Sequence, residues 1–196
     1  MCFRPGCEPR HEPPSRGPTD AAGCDKVSFR ISTDVVDLVR HHAIRQAVFV
    51  REQKLFAHSD HDVFDGAAST VHILAFFRGL PIGTVRLYPM DEFECHGAWC
   101  CDRLAVVPEH RNKRLVTPLM RFAVATVAEH GGSRIVSGVP LDKYSTFRRL
   151  GWTQQSSSGL HLGTRDVLME TDLTVTSSEP VVAAVLSHDR CDCDCG

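Results

Sequence analysis

Val71 to Phe77 is apolar at almost every position, which predicts a strand buried on both faces. Arg78-Gly79-Leu80-Pro81 supplies turn residues, and Ile82 to Tyr88 follows as the second strand of a hairpin, with Thr84, Arg86 and Tyr88 on one face. Residues 89 to 98 read as a loop and Trp99 to Val107 as the next strand, its apolar run Leu104-Ala105-Val106-Val107 stopped by Pro108. A basic turn comes next, carrying His110, Arg111, Lys113 and Arg114. Thr117 is the expected N-cap of a helix and Pro118 its first residue; Leu119, Phe122, Ala123 and Val127 recur at helical spacing until Gly131-Gly132. Arg134 to Val139 and Val167 to Val175 predict two more strands, with a short helix within residues 142 to 152 between them. Upstream, Ser32-Thr33-Asp34 offers caps for a helix running through Val35, Val39 and Ala43 to about Phe49.

Composition alters this picture mainly at the ends. Residues 1–26 hold Pro5, Pro9, Pro13, Pro14 and Pro18 among charges and are expected to form a disordered leader. The folded domain is expected over 27–175, followed by a Cys-rich tail over 176–196. In that tail Val181 to Leu186 is an apolar patch suited to docking as a helical turn, ahead of HDRCDCDCG. Cys-x-Cys-x-Cys beside His188 has the chemistry to bind Zn²⁺ or Cu(I), and a solvated tail is the alternative. Structural zinc sites bring two ligand pairs from separate turns, so no metal ligand is assigned. Nine cysteines, an odd number, without the apolar core of a signal peptide argue against a disulfide framework. The net charge of −2 gives no basis for a nucleic-acid or anionic-membrane partner. No apolar run approaches the ~20 residues that span a bilayer, and the cytoplasm is the default location.

The strand, turn and helix between Asp102 and Gly132 place cationic donors ahead of a helix N-terminus. Free N–H groups and the helix dipole make such a place an anion site. Its order resembles the acetyl-CoA-binding motif of the GNAT N-acetyltransferase superfamily, in which an apolar strand ends in V-x-P, followed by R-x-x-G-x-G/A and a helix. Val106, Pro108 and Arg111 match, whereas Arg114 and Val116 stand where the family has glycine or alanine. Glycine there lets the backbone approach the phosphates and take φ > 0, which a β-branched Val resists. IRQAVFVREQ, residues 44 to 53, with Asp60, Asp62 and Asp65 after it, resembles the nitrogen-starvation acetyltransferase subgroup found beside nitrilase-type genes. Acyl-homoserine-lactone synthases share part of the pattern, here Arg45, Val48, Phe49, Phe64, Asp65, Gly83, Arg86 and Leu87. DKYSTFRRLGW, residues 142 to 152, resembles the family's N-x-x-F-F/Y-x-x-L-G-F/W helix exit through Leu150, Gly151 and Trp152. Lys143 stands there for the subgroup's Asn, and Phe147 for the Tyr of many members.

The resemblance, over about residues 30 to 174, implies an α/β fold with a mixed twisted sheet flanked by helices. It also implies an N-acyltransferase moving an acetyl group from acetyl-CoA to a primary amine of a small molecule. The acidic segment at 60 to 65 would favour a cationic amine. Backbone groups of Leu104, Ala105 and Val106 would polarise the thioester. Arg111, Asn112, Lys113, Arg114, Leu115, Val116 and Thr117 would hold the pyrophosphate, and Phe147 and Arg148 would sit at the thiol end. The amine must also lose a proton and the leaving thiolate must be stabilised or protonated. Tyr144, one turn before Phe147 and within about 60° of its direction, is the candidate acid. Glu52 and Asp102 are the candidate bases, from a set that includes Asp62 and Asp65, and a relayed water serves equally well. Cys100 and Cys101 read as packing thiols, since no base is placed beside them by sequence. Three other readings stay open: an acyl-homoserine-lactone synthase using S-adenosylmethionine, a catalytically inactive GNAT-fold binding or sensor protein, and a metal-responsive protein using the terminal cysteines. Homodimer formation is also left open.

Overall fold

The computed structural model describes residues 27–90, 96–155 and 166–173. The expected leader, the Cys-rich tail and Cys95 lie outside these described residues. Strands β1 (Val27–Ile31), β2 (Val71–Phe77), β3 (Leu80–Pro89), β4 (Ala98–Val106), β5 (Arg134–Pro140), β6 (Thr153–Gln154) and β7 (Asp166–Asp172) form one sheet in the order β1-β2-β3-β4-β5-β7-β6. Every pairing is antiparallel except that of β4 with β5, so the sheet is mixed, as expected. Its two-residue edge strand β6 has no counterpart in the apolar pattern, because both of its residues are exposed.

Period-2 alternation distributes β2 between two cores. Ile73 and Ala75 join the larger one with Val85, Leu87 and Cys101, covered by helix α2 (Val116–Glu129) and by Phe147 and Trp152. Leu74 and Phe76 join a smaller one with Ala105, Ile44 and Val48, covered by helix α1 (Val35–Arg45). A strand buried on both faces therefore reads as the continuous apolar run seen in the sequence. The β2–β3 connection is a two-residue hairpin loop, Arg78-Gly79, with φ of 50° and 77°. Positive φ at both central residues gives the twist that antiparallel strands need, and glycine takes the second position without strain.

Asp34 caps α1 by accepting from the Asp37 N–H at 2.7 Å. The stripe that marks this helix in the sequence, Val35, Val39 and Ala43, faces solvent. The buried side carries Asp37, His41, Ile44 and Arg45. Polar partners on neighbouring elements draw these side chains inward, and hydropathy alone does not register that. Beyond Arg45 the helix continues as a π-helical turn, Gln46–Glu52, three residues past the expected end.

Helix α2 departs from expectation at its start. It begins at Val116 after Leu115, with no side-chain cap, so Thr117 lies inside the first turn and is not the N-cap. Pro118 is then the third helical residue, still among the positions whose N–H has no partner within the helix. The helix ends where predicted: Gly131 takes φ 76°, and a Cβ on Gly132 would fall 2.4 Å from Val127 and 2.7 Å from Trp99.

Candidate active site

The parallel pairing of β4 and β5 is short. It joins Ala98 to Arg134, Trp99 to Ile135 and Cys100 to Val136, and then stops. Beyond that point β4 runs on to Val106 and β5 to Pro140 without pairing to each other, so the sheet forks. Between the arms lies a cleft of about 810 Å³, lined by Leu104, Ala105 and Val106 on one arm and Ser137, Gly138 and Pro140 on the other. Strand edges facing a gap present backbone donors and acceptors to whatever enters it. A bulge marks the same place. Arg86 pairs with Asp102 and Thr84 with Ala105, leaving Arg103 and Leu104 opposite the single residue Val85. Arg103 accordingly has a positive φ of 52°, and its carbonyl accepts from Thr84 Oγ1 at 3.0 Å.

At the open end of the fork, Pro108–Lys113 forms a 3₁₀ turn and Arg114 closes it in the left-handed region, with φ 53° and ψ 38°. The residue in the first glycine place of the motif thus adopts the conformation a glycine would supply, and Val116 avoids strain by lying within α2. Arg114 lines the cleft, is exposed, and has no hydrogen bond or ion pair among the described residues. Arg111 also lines the cleft, but its guanidinium is occupied. Nη1 and Nη2 donate to the two Glu52 carboxylate oxygens at 2.6 Å each, and Nε donates to the Val106 carbonyl at 3.1 Å. Lys113 turns away, its Nζ 3.8 Å from the centre of the Phe77 ring.

The inner end of the cleft is charged and closely bonded. Arg86, fully buried, donates to Asp102 at 2.9 and 2.7 Å and to Asp62 at 2.7 and 2.8 Å. Arg45, also fully buried, binds Asp60 at 2.7 Å and forms a second pair with Asp65. Arg103 reaches Asp60, Asp62 and Asp102 from the cleft side. Burial alone would raise the carboxyls of Asp62 and Asp65, yet the Arg86 and Arg45 guanidiniums hold both below the usual carboxylate range. Behind this network His41, His42 and His72 pack edge to face, with ring centres 4.6 to 5.8 Å apart, and His61 lies 3.9 Å from His42. Burial lowers His41 and His72 and brings His42 down to about 4, so these imidazoles are neutral at ordinary pH.

Of the residues expected in the site, Asp102, Leu104, Ala105, Val106, Arg111, Arg114, Leu115, Val116 and Phe147 all border the cleft. Asn112, Lys113, Thr117 and Arg148 are not among its lining residues; Arg148 Nη1 instead donates to the Trp152 carbonyl at 3.3 Å. Glu52, an expected base, is not among the lining residues; both of its oxygens accept from Arg111, and these bonds lower its carboxyl. Tyr144, the expected acid, opens the short helix that follows β5. It is half-buried against the larger core and does not line the cleft, whereas Lys143 and Phe147 do. Lys143 and Phe147 are four residues apart and share a face of the short helix α3 (Tyr144–Arg149) and its entry, and Tyr144 is turned about 100° from Lys143.

Sequence reasoning did not assign Tyr88, Ser137 or Asp166 to the site, although all three line the cleft. Tyr88 could have been found, since it shares a strand face with Arg86 and Thr84. Its hydroxyl is hydrogen-bonded to Cys100, and burial raises both groups, Cys100 to about 12. Cys100 is thus held as a neutral thiol, and it too lines the cleft. Among the described residues no cluster of three or more His, Cys, Asp or Glu has the arrangement to hold a metal ion, and no helix is long and apolar enough to cross a membrane.

Comparisons with known proteins agree with this architecture. Solved structures similar to the chain include ElaA of Escherichia coli (18% identity, TM-score 0.65, covering 75% of this chain and 100% of that one). An acyl-CoA N-acyltransferase from Pseudomonas aeruginosa is similar at 19% identity and TM-score 0.64, covering 74% and 99%. The CoA-dependent acyl-homoserine lactone synthase BjaI, solved with S-adenosylmethionine and isopentyl-CoA, is similar at 19% identity and TM-score 0.60, covering 77% and 83%. At such identities these likenesses establish the fold. No curated protein matches the chain in sequence. The model of the acetyltransferase (GNAT) family matches residues 37–151, from the first buried residue of α1 to the glycine that follows α3. With the forked sheet, the bulge on β4 and more than half of the chain inside that match, the protein belongs to the acetyltransferase (GNAT) family and is an acyltransferase.

Proposed function

We propose that the protein transfers an acetyl group from acetyl-CoA to the primary amine of a small, cationic molecule. The observation that carries this reading is the charge polarity of the cleft, with Arg114, which has no partner among the described residues, at its mouth and the carboxylate of Asp102 at its inner end. A diphosphate fits the first and an ammonium the second. The thioester of the donor supplies the activated acyl group. The chain holds that donor through Arg114 and Arg111, with the first-turn N–H groups of α2 adding the positive end of a helix dipole. Backbone N–H groups along the unpaired edge of Leu104–Val106 face the place where negative charge develops on the carbonyl oxygen, and they need no reorganisation to do so.

Asp102 anchors and orients the incoming amine, because two hydrogen bonds from Arg86 fix its carboxylate in place. Asp102 is doubly bonded to Arg86 and so is not free to act as a base, whereas burial raises Asp166, which makes it the stronger proton acceptor of the two lining carboxylates. The amine proton passes to Asp166 or to water, and water delivers the proton that reaches the departing thiolate. The R-x-x-V-F-V-x-E-Q segment supports placement in the nitrogen-starvation subgroup. The test is thiol release from acetyl-CoA by the full chain with a panel of primary amines, with products identified by mass. Acetylated amine appearing in step with free CoA is expected. A product formed only from a longer acyl-CoA with S-adenosylmethionine would move the assignment to a homoserine-lactone synthase. No thiol release and no acetyl-CoA binding at millimolar donor would end the enzyme reading.

A further inference from the structure

Glu52 and Arg111 stand where neither can do what its sequence context suggests. Arg111 belongs to the turn that faces the donor's phosphates, yet both of its terminal nitrogens are committed to Glu52. Glu52 ends the π-helical turn after α1, whose Val48 and Phe49 line the opposite wall of the cleft. The pair thus ties one wall of the cleft to the other near its mouth. Both side chains remain partly exposed, at 43% and 35%.

We propose that this pair is a latch exchanged on donor binding: Arg111 passes from the Glu52 carboxylate to the donor's diphosphate and releases Glu52. The proposal rests on the acyl-CoA reading above. A guanidinium fork accepts a carboxylate and a phosphate in the same two-pronged geometry, so the exchange keeps the number of strong hydrogen bonds. The Nε bond to the Val106 carbonyl can persist throughout and pivots the side chain. A diphosphate offers more negative charge than one carboxylate, and an exposed pair of this kind is held weakly, so the exchange runs toward the donor. The Arg111 group is raised and that of Glu52 lowered by this contact, as expected of mutually satisfied partners. Once released, Glu52 adds an unmatched negative charge at the rim, so the cationic acceptor meets a more attractive cleft after the donor has bound. Coupling of this kind is reciprocal between the two ligands.

Isothermal titration of the full chain with CoA tests the latch. Glu52→Gln removes the competitor and is expected to tighten CoA by about three- to tenfold. Arg111→Gln is expected to weaken CoA, and adding Glu52→Gln in that background should change nothing further, because Glu52 acts only through Arg111. Arg111→Lys serves as a second background should the glutamine variant lose its fold. Unchanged or weaker CoA binding by Glu52→Gln overturns the latch. Equal tightening with and without Arg111 also overturns it, showing Glu52 to be a simple repulsive charge. If neither the parent nor Glu52→Gln binds CoA at millimolar concentration, the acyl-CoA reading and the latch fall together; equal, measurable binding by both removes the latch alone.

Discussion

At the inner end of the cleft, Asp60, Asp62, Asp65 and Asp102 are bound by Arg45, Arg86 and Arg103 in contacts that link four separate stretches of the chain. At the mouth, Arg111, Lys113 and Arg114 sit on one exposed turn; one pairs with Glu52, one lies over a ring, and one has no partner among the described residues. The two ends use the same residue types for opposite purposes. Buried guanidiniums and carboxylates depend on one another, since each would be costly alone, and together they hold the α1 side of the sheet in one arrangement. Exposed cations are individually dispensable to the fold and remain available to a ligand.

Breaking one member of the inner network should produce the largest effect. Arg86→Leu removes the fully buried guanidinium shared by the partly exposed Asp62, Asp65 and Asp102 and is expected to remove about 1.5–3 kcal/mol of stability. Urea unfolding measures this, and a loss below about 1 kcal/mol would mean that the inner end is as adaptable as the mouth. Acidification probes the same contrast more gently. His41, His42, His72, Asp62 and Asp65 all have lowered values in the fold, so the unfolded chain takes up their protons first. Their stabilisation is complete above their unfolded values and is lost as pH falls. The melting temperature is expected to be level above about pH 7, to decline from about pH 6.5 through the histidine range, and to drop further below about pH 4 as the aspartates protonate. A level melting temperature down to about pH 5 would show that these imidazoles charge freely in place.

The smallest effects belong to the mouth. Arg114→Ala should leave stability within about 0.5 kcal/mol of the parent while weakening CoA about tenfold. Lys113→Ala, on the same turn, should alter CoA affinity by less than about twofold, because its ammonium is directed at Phe77. Equal losses from the two substitutions would mean that the turn acts as a diffuse positive patch, with no single clamp.

The order of strands and helices from Val71 to Pro140 was legible because burial on both faces, hairpin turn residues and helical spacing are local properties. The strand edge at Leu104–Val106 and the basic turn were legible for the same reason, and so was the family. Arg45, Asp65 and Arg86 could be picked out one by one, but their meeting could not, since 15 to 24 residues separate the partners and only the packing of α1 on β3 and β4 joins them. Tyr144 marks where helix-wheel reasoning stops: the wheel puts it within about 60° of Phe147, but only the packing of the six-residue helix, with Phe147 against Trp152, decides that Phe147 lines the cleft while Tyr144 rests on the core. Thr117 is not the cap because the left-handed turn at Arg114 starts the helix two residues earlier than the Thr-Pro pair suggests.

By itself, then, the sequence determined the strands and helices from Val71 to Pro140, which strand turns the edge Leu104–Val106 to the cleft, and which turn gathers the cations, because short-range spacing and chain stereochemistry settle those. Tertiary structure alone decided which charges are spent on one another and which are left for a ligand. That outcome depends on distances across the sheet: Arg111 meets Glu52 from 59 residues away, while Arg114, three positions further on, meets nothing among the described residues.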